Sequence, residues 1–167
     1  MIAKKVCLLG SFAVGKSSLI RRFVESIFSD KYHTTIGVKI DKKVVRSQDQ
    51  DVQLMIWDIE GKDEFSTYRQ SYLRGAAGYF LVVDGTRPDS VSVAKEWHDM
   101  VLQQGLKLPF ILLVNKSDLF YDQRLNEDDL VELSSMGWEI LLTSAKTGEN
   151  VDYAFERLTT KLLENNE

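Results

Sequence analysis

The chain has 167 residues, of which 44% are hydrophobic and 28% charged, and its net charge is −4. Such a length and balance fit one soluble globular domain with a sizeable core, and the acidic excess does not suggest general nucleic-acid binding. No apolar run approaches the ~18 residues of a membrane span, and Cys7 is the only cysteine, so an intramolecular disulfide is impossible, as suits a reducing, cytoplasmic setting.

No repeat, low-complexity tract or Pro/Gly-rich linker interrupts the sequence, so residues 1–167 read as a single domain. The first residues, MIAKKVCLLG, enter a strand pattern at once and leave no room for a signal peptide. VCLLG, at 6–10, is short, continuous and β-rich, as in a strand buried on both faces. It runs into GSFAVGKS, Gly10 to Ser17, which matches G-x-x-x-x-G-K-[ST]. A phosphate chain needs many donors and little bulk. Glycines let the backbone fold around it with successive N–H groups pointing inward, and the following helix adds its positive end. With glycine near ~7% of residues, a chance match is roughly a 1% event. Ala13, Val14, Gly15, Lys16, Ser17 and Ser18 are therefore the candidate phosphate-binding set. Lys16 would reach the β- and γ-phosphates, and Ser17 would bind Mg²⁺. A helix over Ser18 to Ser26 follows.

Val38–Arg46 and VQLMIWD, at 52–58, are separated by SQDQD, too short for a crossover helix, and so predict an antiparallel hairpin. Lys42, Lys43 and Arg46 read as a solvated, protective edge. The next strands are GYFLVVD at 78–84, PFILLVN at 109–115 and WEILLTS at 138–144, with Pro88 and Pro109 as element boundaries. Helical patterns lie between them, over Ser90 to Gln104 and Asn126 to Met136. Asn126 is the expected N-cap of the latter, with Glu127, Asp128 and Asp129 as favourable N-terminal charges. Val151, Phe155, Leu158 and Leu162 make one face of a last helix. The pattern predicts an α/β fold, a mostly parallel sheet with one antiparallel edge strand and helices on both faces. Gly10, Asp58, Asn115 and Ser144 each end an apolar strand, and open α/β sheets bind ligands at that edge.

NKSD, Asn115 to Asp118, names the base. Guanine presents two adjacent donors, which one carboxylate, Asp118, can accept in a bidentate contact. Adenine lacks both and would leave the carboxylate unpaired, so an ATP-using enzyme is disfavoured. The Lys116 stem could lie over the base, and Asn115 would tie this loop to the phosphate loop.

With these motifs the sequence resembles a Ras-superfamily small GTPase, closest to the Rab-like branch, over nearly its whole length. The resemblance implies the three-layer P-loop GTPase fold, a six-stranded sheet with about five helices. In YHTTIG, Thr35 rather than Thr34 resembles the switch threonine that binds Mg²⁺ and senses the γ-phosphate. In WDIEG, Asp58 would hold Mg²⁺ through water and the Gly61 N–H would meet the γ-phosphate. TSAKTG, Thr143 to Gly148, resembles the last guanine motif, with Ser144, Ala145 and Lys146 at the base and the Ala145 N–H on the guanine carbonyl. Phe28 would set its edge against guanine, and FSTYRQSYLRGA, Phe65 to Ala76, resembles the second switch helix. GTP or GDP, Mg²⁺, and an effector, an exchange factor and an activating protein on segments 28–38 and 59–72 are the implied ligands and partners. Ile40, Trp57 and Tyr72 fall on the implied effector face. His33 and His98 are isolated and read as surface residues. The ending LLENNE has no cysteine for prenylation, so no direct lipid anchor is expected in this chain, which would suit a prokaryotic relative or a truncated piece.

Three residues depart from the pattern around the γ-phosphate. Lys62 stands where the family has the water-orienting glutamine, Glu60 where it has alanine, and Phe12 where it has a small residue. An ammonium donates but cannot accept. Lys62 is therefore a candidate catalytic residue, beside Lys16, Thr35 and Gly61, that predicts slow hydrolysis or none. The alternatives are that Glu60, Asp63 or Glu64 orients the water, that Lys62 neutralises transition-state charge, or that Lys62 and Glu60 face solvent.

Overall fold

A computed structural model describes residues 1–29, 37–59 and 71–165. Its elements run β1 (Ile2–Gly10), α1 (Lys16–Glu25), β2 (Val38–Ser47), β3 (Gln50–Ile59), β4 (Ala76–Asp84), α2 (Asp89–Gln103), β5 (Phe110–Asn115), α3 (Glu127–Ser135), β6 (Ile140–Leu142) and α4 (Val151–Glu164). A 3₁₀ turn covers Phe120–Asp122. These are four α-helices among the described residues; the expected switch helix within Phe65–Ala76 falls largely outside them.

The six strands lie in the order β2-β3-β1-β4-β5-β6. Among the described residues only the β2–β3 pair is antiparallel. The expected hairpin and edge strand are therefore present, tightened at the turn because Gln48 and Asp49 both take positive φ, as a two-residue hairpin loop requires. β1 starts four residues before VCLLG, since Ile2 to Lys5 pair with Val52 to Met55 although their side chains are polar or exposed. β6 is shorter than WEILLTS. Trp138 is spent on packing, and Thr143 and Ser144 leave the ladder to make side-chain bonds described below.

Alternation along the buried strands divides the core into two layers. Val6, Leu8, Phe80, Val82 and Leu113 pack on one face with Leu19, Ile20 and Phe23 of α1 and Phe155, Leu158 and Leu162 of α4. Phe23 and Phe155 stack there with centroids 3.9 Å apart. Cys7, Leu9, Leu81, Val83, Leu112 and Val114 face the other way, onto Trp97 and Val101 of α2 and Leu133 of α3. Each large side chain so buried contributes about 1.5–3 kcal/mol. Asn126 caps α3 as expected, its side chain accepting from the Asp128 N–H at 2.9 Å.

Two surface expectations are corrected. His98 is half-buried: its ring lies 4.7 Å from both Phe110 and Trp138, and its Nδ1 shares a 2.8 Å hydrogen bond with the Tyr79 hydroxyl. An imidazole on an otherwise apolar helix face fills such a corner because Tyr79 gives it a polar partner. Lys43 does not extend into solvent either. Its ammonium donates to the Phe23 carbonyl and sits 4.2 Å from the Phe23 ring, whereas Lys42 and Arg46 are exposed.

Candidate nucleotide-binding site

The parallel register sets Gly10, Asp58, Asp84 and Asn115 along one edge, with Leu8 opposite Asp58, Gly10 opposite Val82 and Asp84 opposite Asn115. Gly10 ends β1 against its neighbour so closely that a Cβ would stand 2.4 Å from the Val82 carbonyl oxygen. The chain then turns through Ser11 to Gly15. Ala13 has φ 63° and Gly15 φ 100°, and a Cβ on Gly15 would meet the Asn115 amide nitrogen at 2.3 Å.

Three consecutive carbonyls of this loop are each bound by a side chain from elsewhere. Phe12 O accepts from Arg87 Nη1 at 2.6 Å. Ala13 O accepts from Lys116 Nζ at 3.1 Å. Val14 O accepts from Asn115 Nδ2 at 3.0 Å. In a trans peptide the C=O and the next N–H point in opposite directions. Capping these carbonyls therefore turns the N–H groups of Ala13, Val14 and Gly15 to the opposite side, the arrangement of an anion-binding nest. Lys16 follows at the head of α1, its side chain buried to 6% exposure, with Ser17 and Ser18 in the same first turn. The helix N-terminus adds partial positive charge there.

Asp58, at 1% exposure, closes β3 beside this turn, and the Ser17 hydroxyl donates to its Oδ2. A hydroxyl and a carboxylate side by side are hard oxygen ligands of the kind Mg²⁺ takes.

Asn115, 2% exposed at the end of β5, is held from behind by Thr143, whose hydroxyl donates to its Oδ1 at 3.2 Å. Lys116 adopts φ 67°. Its ammonium also pairs with Asp84 at 2.9 Å. Burial alone would raise the Asp84 carboxyl, but the Lys116 ammonium and the Thr86 hydroxyl and N–H together hold it below the usual carboxylate range. Asp118 is half-buried, and its Oδ1 accepts from the Ser144 hydroxyl at 2.8 Å. The same Ser144 oxygen accepts from the Thr147 N–H at 3.1 Å. Arg22 of α1 donates to the carbonyls of Ala145, at 2.7 Å, and Lys146. Phe28 packs half-buried against the α1 and α4 side of the core.

The structure thus brings together Ala13 to Ser18, Asp58, Asn115, Lys116, Asp118 and Ser144 to Lys146. Thr35, Gly61 and Lys62 lie outside the described residues, as do His33, Thr34, Glu60, Asp63 and Glu64. On the neighbouring face, Ile40 pairs in register with Trp57, whose ring centroid is 6.4 Å from that of Tyr72. Ile40 is exposed and the two aromatics half-buried. Sequence reasoning missed Asp84, Arg87 and Arg22. Asp84 had the same signal as Asn115, a polar residue ending an apolar strand at the same edge. The two arginines carried none, since their acceptors are backbone carbonyls in loops remote in sequence.

A mostly parallel sheet whose first strand enters a glycine-rich loop and a helix, with an Asn-Lys-x-Asp loop clasping that loop, defines the P-loop GTPase arrangement. The Ras family profile matches residues 5–164. The GTP-binding protein Rheb homolog of Dictyostelium discoideum is 36% identical over 95% of this chain and 87% of its own length. Ras-related protein Rab-32B of the same organism is 36% identical over 96% of this chain and 64% of its own length. Ras-related protein Rab-4A of Homo sapiens is 35% identical over 95% of this chain and 74% of its own length. The chain belongs to the Ras family of small GTPases, with Rab-like relatives. No helix among the described residues is long and apolar enough to cross a membrane.

Proposed function

We propose that the chain is a guanine-nucleotide switch that binds GTP or GDP with Mg²⁺ and hydrolyses GTP slowly, acting as one domain over residues 1–167. The observation that carries this reading is the double use of one loop. Asn115 and Lys116 cap the phosphate loop while Asp118, two residues further along the same loop, is held by the Ser144 hydroxyl. On this reading a nucleotide held by the phosphate nest meets the Asp118 carboxylate with its base, and guanine has the matching donors.

Ser17 and Asp58, the latter through water, with Thr35 from the first switch segment, would hold Mg²⁺, which supplies charge neutralisation at the β- and γ-phosphates. The N–H groups of the nest and the Lys16 ammonium stabilise the same oxygens as charge develops on them. Ala145 and Lys146, anchored by Arg22, and the Phe28 edge complete the base pocket. With the γ-phosphate present, Thr35 and the Gly61 N–H hold segments 28–38 and 59–72. Without it they are released, and an effector, an exchange factor or an activating protein reads the difference on the face that includes Ile40, Trp57 and Tyr72.

Hydrolysis is in-line attack by water, and the residue after Gly61 sets its rate. Lys62 has donors and no acceptor, so it cannot take a hydrogen bond from the attacking water. Phe12 adds bulk where a partner's arginine would enter, and its side chain is 43% exposed. These two residues favour a second reading, a GTP-dependent binding module that does not turn over.

Nucleotide identification on the purified protein, competition of GTP against ATP, and single-turnover hydrolysis of wild type and Lys62→Gln test the proposal. Bound guanine nucleotide, slow phosphate release and a faster Lys62→Gln variant are expected. No release in wild type favours the binding module. Wild-type turnover as fast as that of glutamine-bearing relatives, slowed by the substitution, overturns the slow-enzyme reading in favour of Lys62 itself or of Glu60, Asp63 or Glu64.

A further inference from the structure

We infer that Arg87 is a positioning residue for the phosphate loop, the third side chain that keeps its N–H groups turned toward the nucleotide. The inference rests on the proposed nucleotide site and adds a residue to it. Asn115 and Lys116 come from the base-reading loop, whereas Arg87 comes from the separate turn between β4 and α2.

That turn is fixed before Arg87 reaches out. The Arg87 N–H bonds the Asp84 carbonyl at 2.9 Å. The Thr86 N–H and hydroxyl bond Asp84 Oδ1 at 2.8 and 2.7 Å. The buried Ser90 hydroxyl donates to the Arg87 carbonyl at 2.6 Å. The guanidinium then donates to Phe12 O at 2.6 Å and to the buried Ser11 hydroxyl at 3.4 Å, with Asp89 3.5 Å behind it. A planar fork with several donors can span a carbonyl, a hydroxyl and a carboxylate at once.

The contact has a directional consequence. Phe12 O and the Ala13 N–H belong to one peptide plane, so pinning the first aims the second. Without Arg87 this peptide loses the anchor on its carbonyl while the next two keep theirs on Lys116 and Asn115. The nest then loses its leading donor, and the base contacts stay intact. Arg87 therefore governs how tightly phosphate is held and leaves base choice alone.

The test is release of fluorescent mant-GDP and mant-GTP, and competition of GDP against ADP, on the Mg²⁺-loaded protein, for wild type, Arg87→Met and Arg87→Lys. Methionine keeps an apolar stem without a donor; lysine keeps a cation able to reach the Phe12 carbonyl. A partly exposed charged hydrogen bond predicts about threefold to tenfold faster release of both nucleotides from Arg87→Met. Arg87→Lys is expected to fall between Met and wild type, with the GDP-over-ADP preference unchanged in both variants. Wild-type release rates in Arg87→Met overturn the inference. So does a loss of GDP-over-ADP preference in proportion to the faster release, which marks general loosening of the domain. Wild type that holds neither mant nucleotide instead refutes the nucleotide-site reading and the inference with it.

Discussion

The Asp84 carboxylate and the Lys116 ammonium stand 2.9 Å apart, Asp84 at 1% exposure and the lysine side chain at 35%. Lys116 also reaches the Ala13 carbonyl, so Asp84 steadies the phosphate loop through a side chain of the base-reading loop. Asp84→Asn leaves the lysine with a neutral partner in a half-buried place. The expected cost is roughly 2–3 kcal/mol, less than for a fully buried pair because water still reaches the lysine. Urea unfolding at pH 7 measures it. The folded carboxyl is held below its unfolded value. Its contribution is therefore complete above about pH 4 and is lost as the pH falls through the folded value. The gap between wild type and Asp84→Asn should close below about pH 4. An unchanged gap at low pH would mean that the amide differs in shape and not in charge.

Gly15→Ala should be among the most damaging substitutions of a small residue. The new methyl would approach the Asn115 amide to 2.3 Å, and φ 100° is unsuited to alanine. Either the loop or Asn115 must shift, and a shift of Asn115 also uncaps the Val14 carbonyl. Backbone strain with a lost buried hydrogen bond predicts about 2–4 kcal/mol of destabilisation. Nucleotide affinity should fall at least tenfold as well. Denaturant unfolding with and without GDP checks both; a stable variant of normal affinity contradicts this geometry.

Much of this site was legible because its parts are tied to strand ends. A continuous apolar run that stops at a polar residue gives the strand and the edge it faces, which sets Gly10, Asp58 and Asn115 together, whereas Ser144 lies two residues past the end of β6. Asp84 meets the same criterion, but no motif marks it. Arg87 and Arg22 could not be read at all. A side chain that binds a backbone carbonyl needs no matching residue type at the other end, so the pairing leaves no trace in composition or spacing. The burial of His98 is hidden for a related reason. A single polar residue on a helix looks solvent-facing unless its partner, here Tyr79 on a neighbouring strand, is known. Helix and strand existence follows from periodicity, and the ends differ by up to four residues, because pairing partners rather than side-chain type decide where a ladder stops.

Ser144 separates base recognition from phosphate binding. Its hydroxyl donates to Asp118 and accepts from the Thr147 N–H. Ser144→Ala removes the donor that orients the carboxylate and leaves the phosphate nest untouched. GDP affinity should fall about tenfold or somewhat more, the lower end of what one hydrogen bond to a charged group is worth, and the GDP-over-ADP ratio should shrink by the same factor. Asp118→Ala removes the acceptor itself and should shrink that ratio about a hundredfold or more. Competition titrations with both nucleotides measure the two effects. If Ser144→Ala lowered GDP and ADP affinity equally, Ser144 would act on the fold of its loop rather than on Asp118.

His98 predicts a pH dependence that carboxylates do not produce. Burial lowers its pKa from the usual 6.5, with the Asp99 carboxylate opposing, because an imidazolium between Phe110 and Trp138 gives up hydration that the rings do not replace. The unfolded chain then binds more protons than the folded one between the two values, so stability rises with pH across that interval. The contribution is complete above about pH 6.5 and drains away as the pH falls toward the folded value. His98→Gln keeps an acceptor for the Tyr79 hydroxyl but cannot titrate. Wild-type melting temperature should drop between about pH 7 and pH 5, and the variant should be flatter over the same range even if it is less stable throughout. Parallel curves for the two proteins would place the responsible proton elsewhere.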